Sequence, residues 1–66
     1  MDDEFNMSMR KFLKQVGVTS QQQIEAAMRK AAPASAGHSY TARMVLTIDG
    51  LDMEHVVTGT ITGPAE

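Results

Sequence analysis

The spacing of apolar residues changes character once, across Ala32-Pro33-Ala34-Ser35-Ala36-Gly37-His38-Ser39, and that change constrains the fold more than any other feature. Before it, apolar residues recur at helical spacing; after it, they alternate. Pro33 blocks helix continuation, and the small residues around it read as a flexible linker at about residues 32–38. Helical structure is therefore expected on one side of the break and strand structure on the other.

Phe5, Met9, Phe12, Leu13 and Val16 fall at i, i+4, i+7, i+8 and i+11, one stripe of a helix, with Asn6, Arg10, Lys14 and Gln15 off it. This predicts a helix over about residues 4–16, capped by Asp2 or Asp3, whose charge also suits the positive end of the helix dipole. Gly17 is expected to end it in the left-handed conformation, with Val18 folding back on the last turn. Thr19 and Ser20 are N-cap types, each with a Gln three residues on, Gln22 and Gln23, so a second helix is expected over about residues 20–31. Ile24, Ala27, Met28 and Ala31 form its narrow apolar stripe, and Glu25 and Arg29 a favourable i, i+4 pair.

Beyond the linker, Tyr40, Ala42, Met44, Leu46 and Ile48 alternate with Thr41, Arg43, Val45 and Thr47, and Asp49-Gly50 signals a tight hairpin. Strands are expected at about 39–48 and 51–62, with Ile48 opposite Leu51, Leu46 opposite Met53, Met44 opposite His55 and Ala42 opposite Val57. A four-residue loop, Asp49 to Asp52, keeps the same faces, so sidedness is firmer than register. One face collects nearly all the large apolar residues, while the other is polar except for Val45 and Val56. The expected fold is α+β: two N-terminal helices packed on one face of a C-terminal antiparallel hairpin, a single domain over 1–62 with a frayed tail at 63–66.

A 66-residue chain buries only about 60% of the surface its unfolded form exposes, and with no Cys it has no disulfide, thiolate metal site or thiol nucleophile. Association with another chain is the natural reinforcement. The acidic start and the short apolar runs suggest neither a leader peptide nor a membrane span, so a cytoplasmic setting is expected. A net charge of −2 gives no general attraction to nucleic acid or anionic lipid.

The helical region with its corner invites comparison with a DNA-reading helix-turn-helix. That motif places a small residue four before the turn Gly and a branched apolar residue about six after it; here Leu13 and Gln23 occupy those places, with Ile24 one late. Recognition helices also usually belong to a trihelical core, and a wing is usually basic rather than apolar on one face. A plain corner between two core helices is the better reading. Arg10, Lys11, Lys14, Arg29 and Lys30 form a candidate basic patch for an acidic partner or RNA, set against an ordinary solvated face without aromatic residues for base stacking.

His38 and His55 lack companions at ligand spacing, so no metal site is expected. Asp49 serves the turn, Asp52 and Glu54 the solvent face and Ser20 the helix cap, leaving no catalytic constellation and no cofactor cradle; a non-enzyme is expected. Met7, off the main stripe, joins Val45 and Val56 as candidate exposed apolar surface for a partner. The hairpin also leaves two open edges, one of which could pair with a second copy to give a four-stranded sheet.

Over "FNMSMRKFLKQVGVTSQQQIE", residues 5–25, the chain resembles a family of short uncharacterised proteobacterial proteins, domain of unknown function 6494, most clearly in the first helix and corner. The resemblance implies a small stand-alone bacterial protein and carries no activity or site residues. The functional expectation is a non-enzymatic interaction module, meeting itself as a homodimer or another protein through the hairpin edge or outer face. The alternative is an RNA- or DNA-binding accessory protein using the basic helix face, and a third reading is a ligand pocket lined by Met44, Leu46 and Met53, which lacks any specific polar group.

Overall fold

In the computed structural model, which describes residues 3–65, a single α-helix, α1, runs over Asp3–Ala31. At 29 residues it is about 44 Å long at 1.5 Å per residue. The two helices expected over 4–16 and 20–31 are therefore one. Gly17 is not a left-handed cap, since the glycines with positive φ among the described residues are Gly37 and Gly50.

Thr19 does not cap a new helix either: its hydroxyl donates to the carbonyl of Gln15, 2.7 Å away, the back-bond of a Thr inside a helix. Ser20 likewise lies within α1 rather than at its start. The helix continues because a corner would strand several N-H and C=O groups, whereas an interior Gly costs only about 1 kcal/mol relative to Ala. Moreover, the two stripes are in phase. Met9 and Ala27, like Leu13 and Ala31, lie about five turns of 3.6 residues apart, and so on one line of the helix.

Asp3 and Glu4 occupy the first turn, and Arg29 and Lys30 the last, each suited to its end of the dipole. The expected cap at Asp2 lies outside the described residues. Ala31 is the last helical residue, two before Pro33, whose ring disfavours the helical conformation for the residue before it.

Two compact units make up the chain, Met1–Ala31 and Ala32–Glu66. The second opens with tight turns over the expected linker: Ala36 N-H donates to Pro33 O (3.0 Å) and His38 N-H to Ser35 O (3.1 Å), with Gly37 at φ 73° in the second turn. The Ala32–Pro33 peptide is cis. Strand β1, Ser39–Thr47, then pairs antiparallel with β2, Glu54–Thr62, in a two-stranded sheet. At its open end Gly63 N-H donates to His38 O (2.8 Å), and Gly37 N-H donates to Gly63 O (3.1 Å). Gly63 is buried within this closure, although a tail fraying from position 63 is what the sequence suggests.

The register pairs Met44 with Val57, Val45 with Val56 and Leu46 with His55. This is the register of the longer loop, not the one that sets Ile48 opposite Leu51. Leu51 N-H donates to Ile48 O (3.1 Å), making Asp49 and Gly50 the central residues of a turn with Gly50 at φ 89°. Asp49 does not have positive φ, so the turn is type II and not the type I′ turn that closes a two-residue hairpin. Leu51 to Met53 bring the chain back, with Met53 N-H donating to Leu51 O (3.1 Å), and β2 begins at Glu54. Pairing Val45 with Val56 and Met44 with Val57, in place of Val45 with Glu54, matches apolar with apolar across the strands.

Candidate functional site

On α1 the apolar stripe is a surface. Phe5, Phe12 and Leu13 are about half exposed, Met9 is 42% exposed and Ile24 38%, and among the described residues no hydrophobic side chain is buried. At 100° per residue, Phe5, Met9, Phe12 and Val16 share one side of the helix, and Ser20, Ile24, Ala27 and Ala31 continue it past Gly17. The bulky members thus precede Gly17, and small ones dominate the part beyond it. Met7, 71% exposed, lies on the opposite side with Val18, so it does not extend this surface.

The basic residues do not form one patch. Arg10, Lys11 and Lys14 occupy about one turn, while Arg29 and Lys30 begin about 22 Å further along the helix. Lys11 and Arg29 do fall on one line, about five turns apart, but Glu25 lies between them on that side, accepting from Gln21 Nε2 at 3.3 Å. Helical continuity through Gly17 also removes the corner that a helix-turn-helix requires.

The hairpin register brings Val45 and Val56 together as a cross-strand pair, 42% and 41% exposed, bordered by Arg43 opposite Thr58 and Thr47 opposite Glu54. This apolar pair on an otherwise polar face is the one grouping of candidate partner-binding residues that the strands assemble. On the other face lie Tyr40 opposite Ile61, Ala42 opposite Gly59, Met44 opposite Val57 and Leu46 opposite His55. Tyr40, Met44 and Val57 are 43–50% exposed. Of the trio read as a pocket lining, Leu46 and Met53 are half-buried and Met44 is exposed.

His55 sits beside the turn, one pair in from Thr47 and Glu54, rather than mid-strand opposite Met44, where the shorter loop places it. His38 is exposed in the closing turn. Among the described residues no three His, Asp or Glu side chains gather as a metal cage, and no helix is long and apolar enough to cross a membrane.

Two features escape sequence reasoning. One is the tip, where Ile48 is 43% and Leu51 63% exposed beside Asp49 and Asp52; the alternation signal, extended through Ile48, hides that these residues lie outside the ladder. The other is the closure around Ser35, only 1% exposed, against which Gly63 lies so closely that a Cβ there would collide with the Ser35 carbonyl. Gly63 followed by Pro64 was the available signal, but it reads equally as a loose end.

No curated protein and no solved structure matches the chain significantly. A family model does, over residues 1–64, nearly the whole length. The chain therefore belongs to the family of unknown function DUF6494.

Proposed function

We propose that the chain is a small cytoplasmic, non-enzymatic protein-interaction module that works by associating with itself. The observation that carries this reading is the exposed apolar stripe of α1, with Phe5, Phe12 and Leu13 about half open to water. A helix in water gains most of its stability from packing an amphipathic face, and apolar surface removed from water is worth roughly 25 cal/mol per Å². A surface of this kind is a docking face.

The exposed Val45–Val56 pair and the open edges of the two-stranded sheet supply a second such surface, on which a further copy could extend the sheet. An enzymatic role has less support. Asp49 is used by the turn, Ser20 lies mid-helix, and Asp52 and Glu54 are exposed at the tip and the start of β2.

The second reading, nucleic-acid binding through Arg10, Lys11, Lys14, Arg29 and Lys30, is favoured only by the alignment of Lys11 with Arg29 along α1. One titration separates the two. Fluorescently labelled chain is titrated with unlabelled chain and, in parallel, with mixed-sequence RNA and DNA oligonucleotides. An anisotropy rise with the chain itself, little affected by salt, is expected. A rise with nucleic acid alone, falling steeply with salt and lost when Arg10→Glu and Lys14→Glu are combined, would replace self-association by the second reading.

A further inference from the structure

The stripe of α1 has a symmetry that neither the family assignment nor the general reading of self-association specifies. Its positions are mirrored about the level of Val18: Phe5 corresponds to Ala31, Met9 to Ala27, Phe12 to Ile24 and Val16 to Ser20. We infer that α1 pairs antiparallel with α1 of a second copy, about a twofold axis level with Val18, so that the bulky N-terminal half of each stripe packs on the small-residue half of the other. This rests on the self-association reading and gives it a geometry.

Three considerations favour antiparallel over parallel pairing. The first is volume. Packed helices keep an interaxial distance of about 8–10 Å set by the side chains between them. Parallel pairing sets Phe5 on Phe5 and Met9 on Met9 at one end, and Ala27 on Ala27 and Ala31 on Ala31 at the other. The axes would be held apart where the side chains are large and left with voids where they are small. Antiparallel pairing sets Phe5 beside Ala31 and Met9 beside Ala27, which evens the separation along the whole helix.

The second is charge. Asp3 and Glu4 fill the first turn, and Arg29 and Lys30 the last. Antiparallel helices bring the acidic end of each to the level of the basic end of the other, and their dipoles oppose favourably; Glu4 and Arg29 lie on the outer side, so the gain is long-range rather than a contact, and parallel helices stack like on like. The third is register. A mirrored pattern meets its own copy with stripe positions level with stripe positions, Leu13 excepted, as an isologous twofold interface requires. Ser20, facing Val16 near the axis, and Gln23, level with Leu13, are polar members near the middle of this seam, and Asn6 and Lys30, on the lines of Ile24 and Phe12, are polar members at its flanks near the ends.

The test uses the full chain, which has no native Cys to confuse the result. Met9→Cys and Ala27→Cys are made as separate single variants, mixed in equal amounts, equilibrated and mildly oxidised with glutathione, and the disulfide dimers are identified by intact mass. The mixed Met9→Cys/Ala27→Cys dimer is expected in at least several-fold excess over either homodisulfide. In the antiparallel pair these two positions face each other, whereas two copies of position 9 are about 27 Å apart along the axis. Predominance of the two homodisulfides would overturn the proposal in favour of parallel pairing. The 1:2:1 mixture of chance collisions, or none at all, would show that this face is not the seam.

Circular dichroism checks that each variant keeps its helix; Leu13→Cys with Ile24→Cys, which share one flank of the seam and lie one residue apart in level, is a second pair with the same expected readout. Sedimentation of the unmodified chain separates the antiparallel geometry from self-association itself. A dimer with the wrong disulfide pattern removes the geometry alone, and a monomer removes self-association with it.

Discussion

The helical unit and the hairpin unit are ordered by opposite means. In α1 every backbone bond is local, closing between residues four apart, so the element is continuous even where its sequence hesitates at Gly17, Thr19 and Ser20. In the hairpin the bonds are remote in sequence, and the unit depends on particular closures: the Asp49-Gly50 turn at one end, and Gly63 with Gly37 and His38 at the other. The difference teaches where each unit is vulnerable. The helix should tolerate changes of backbone propensity and fail when its stripe is spoiled; the hairpin should tolerate changes on its faces and fail at its closures.

The largest effect is expected from Phe12→Glu. Glu is a good helix former, so the substitution leaves intrinsic propensity almost untouched while placing a charge in the stripe. Self-association should weaken at least a hundredfold, about 3 kcal/mol, as measured by sedimentation, with helicity at low concentration falling in step. Helicity and association both unchanged would mean that the stripe is not what supports the helix.

Next comes Gly63→Ala. The new Cβ has no room against the Ser35 carbonyl, and backbone cannot swing aside as a long side chain can. A loss of about 1–3 kcal/mol in the stability of the hairpin unit is expected from thermal unfolding followed by NMR. Gly59→Ala, where nothing lies within 4 Å of the added carbon, is the matched control and should be neutral or slightly stabilising.

Smaller, and of opposite sign, is Gly17→Ala. Gly17 has no neighbour within 4 Å of an added Cβ and no positive φ, so Ala should stabilise the helix by about 1 kcal/mol, raising its melting temperature by circular dichroism. A corner with a left-handed Gly would instead be destabilised, so the sign alone distinguishes the two geometries. The smallest change is expected when Val45→Thr and Val56→Thr are combined. The β-propensity of the pair is retained, and hairpin stability should move by roughly 0.5 kcal/mol. A marked fall in association would assign the outer hairpin face a larger share of the interface than the stripe.

What could be read from the sequence follows the same division. The end of α1 at Ala31 was legible because Pro33 acts by covalent geometry, which packing cannot override. The sides of the hairpin were legible because alternation survives either loop length. The interior of α1 is not legible in the same way, because Gly, Thr and Ser have two valid uses, as caps and within helices. Thr19 bonding back to Gln15 is the second use. Phase was the better guide: Met9 and Ala27 share a line only if the helix does not turn. Asp49-Gly50 alone does not decide the register, because it fits a type II turn as well as a type I′ turn, and the choice is made by remote pairs such as Val45 with Val56. Of the candidate surfaces, that pair formed because strands bring remote residues together; the basic set divided because a straight helix keeps residues 14 and 29 as far apart as their numbers imply.

Whether a second copy covers the apolar stripe of α1 is decided by sedimentation equilibrium of the full chain over a wide concentration range. A mass of twice the 7.2 kDa chain is expected at about 100 µM, dissociating on dilution toward the low micromolar range. A 7.2 kDa monomer persisting to about 500 µM, with α1 fully helical by circular dichroism, would contradict it.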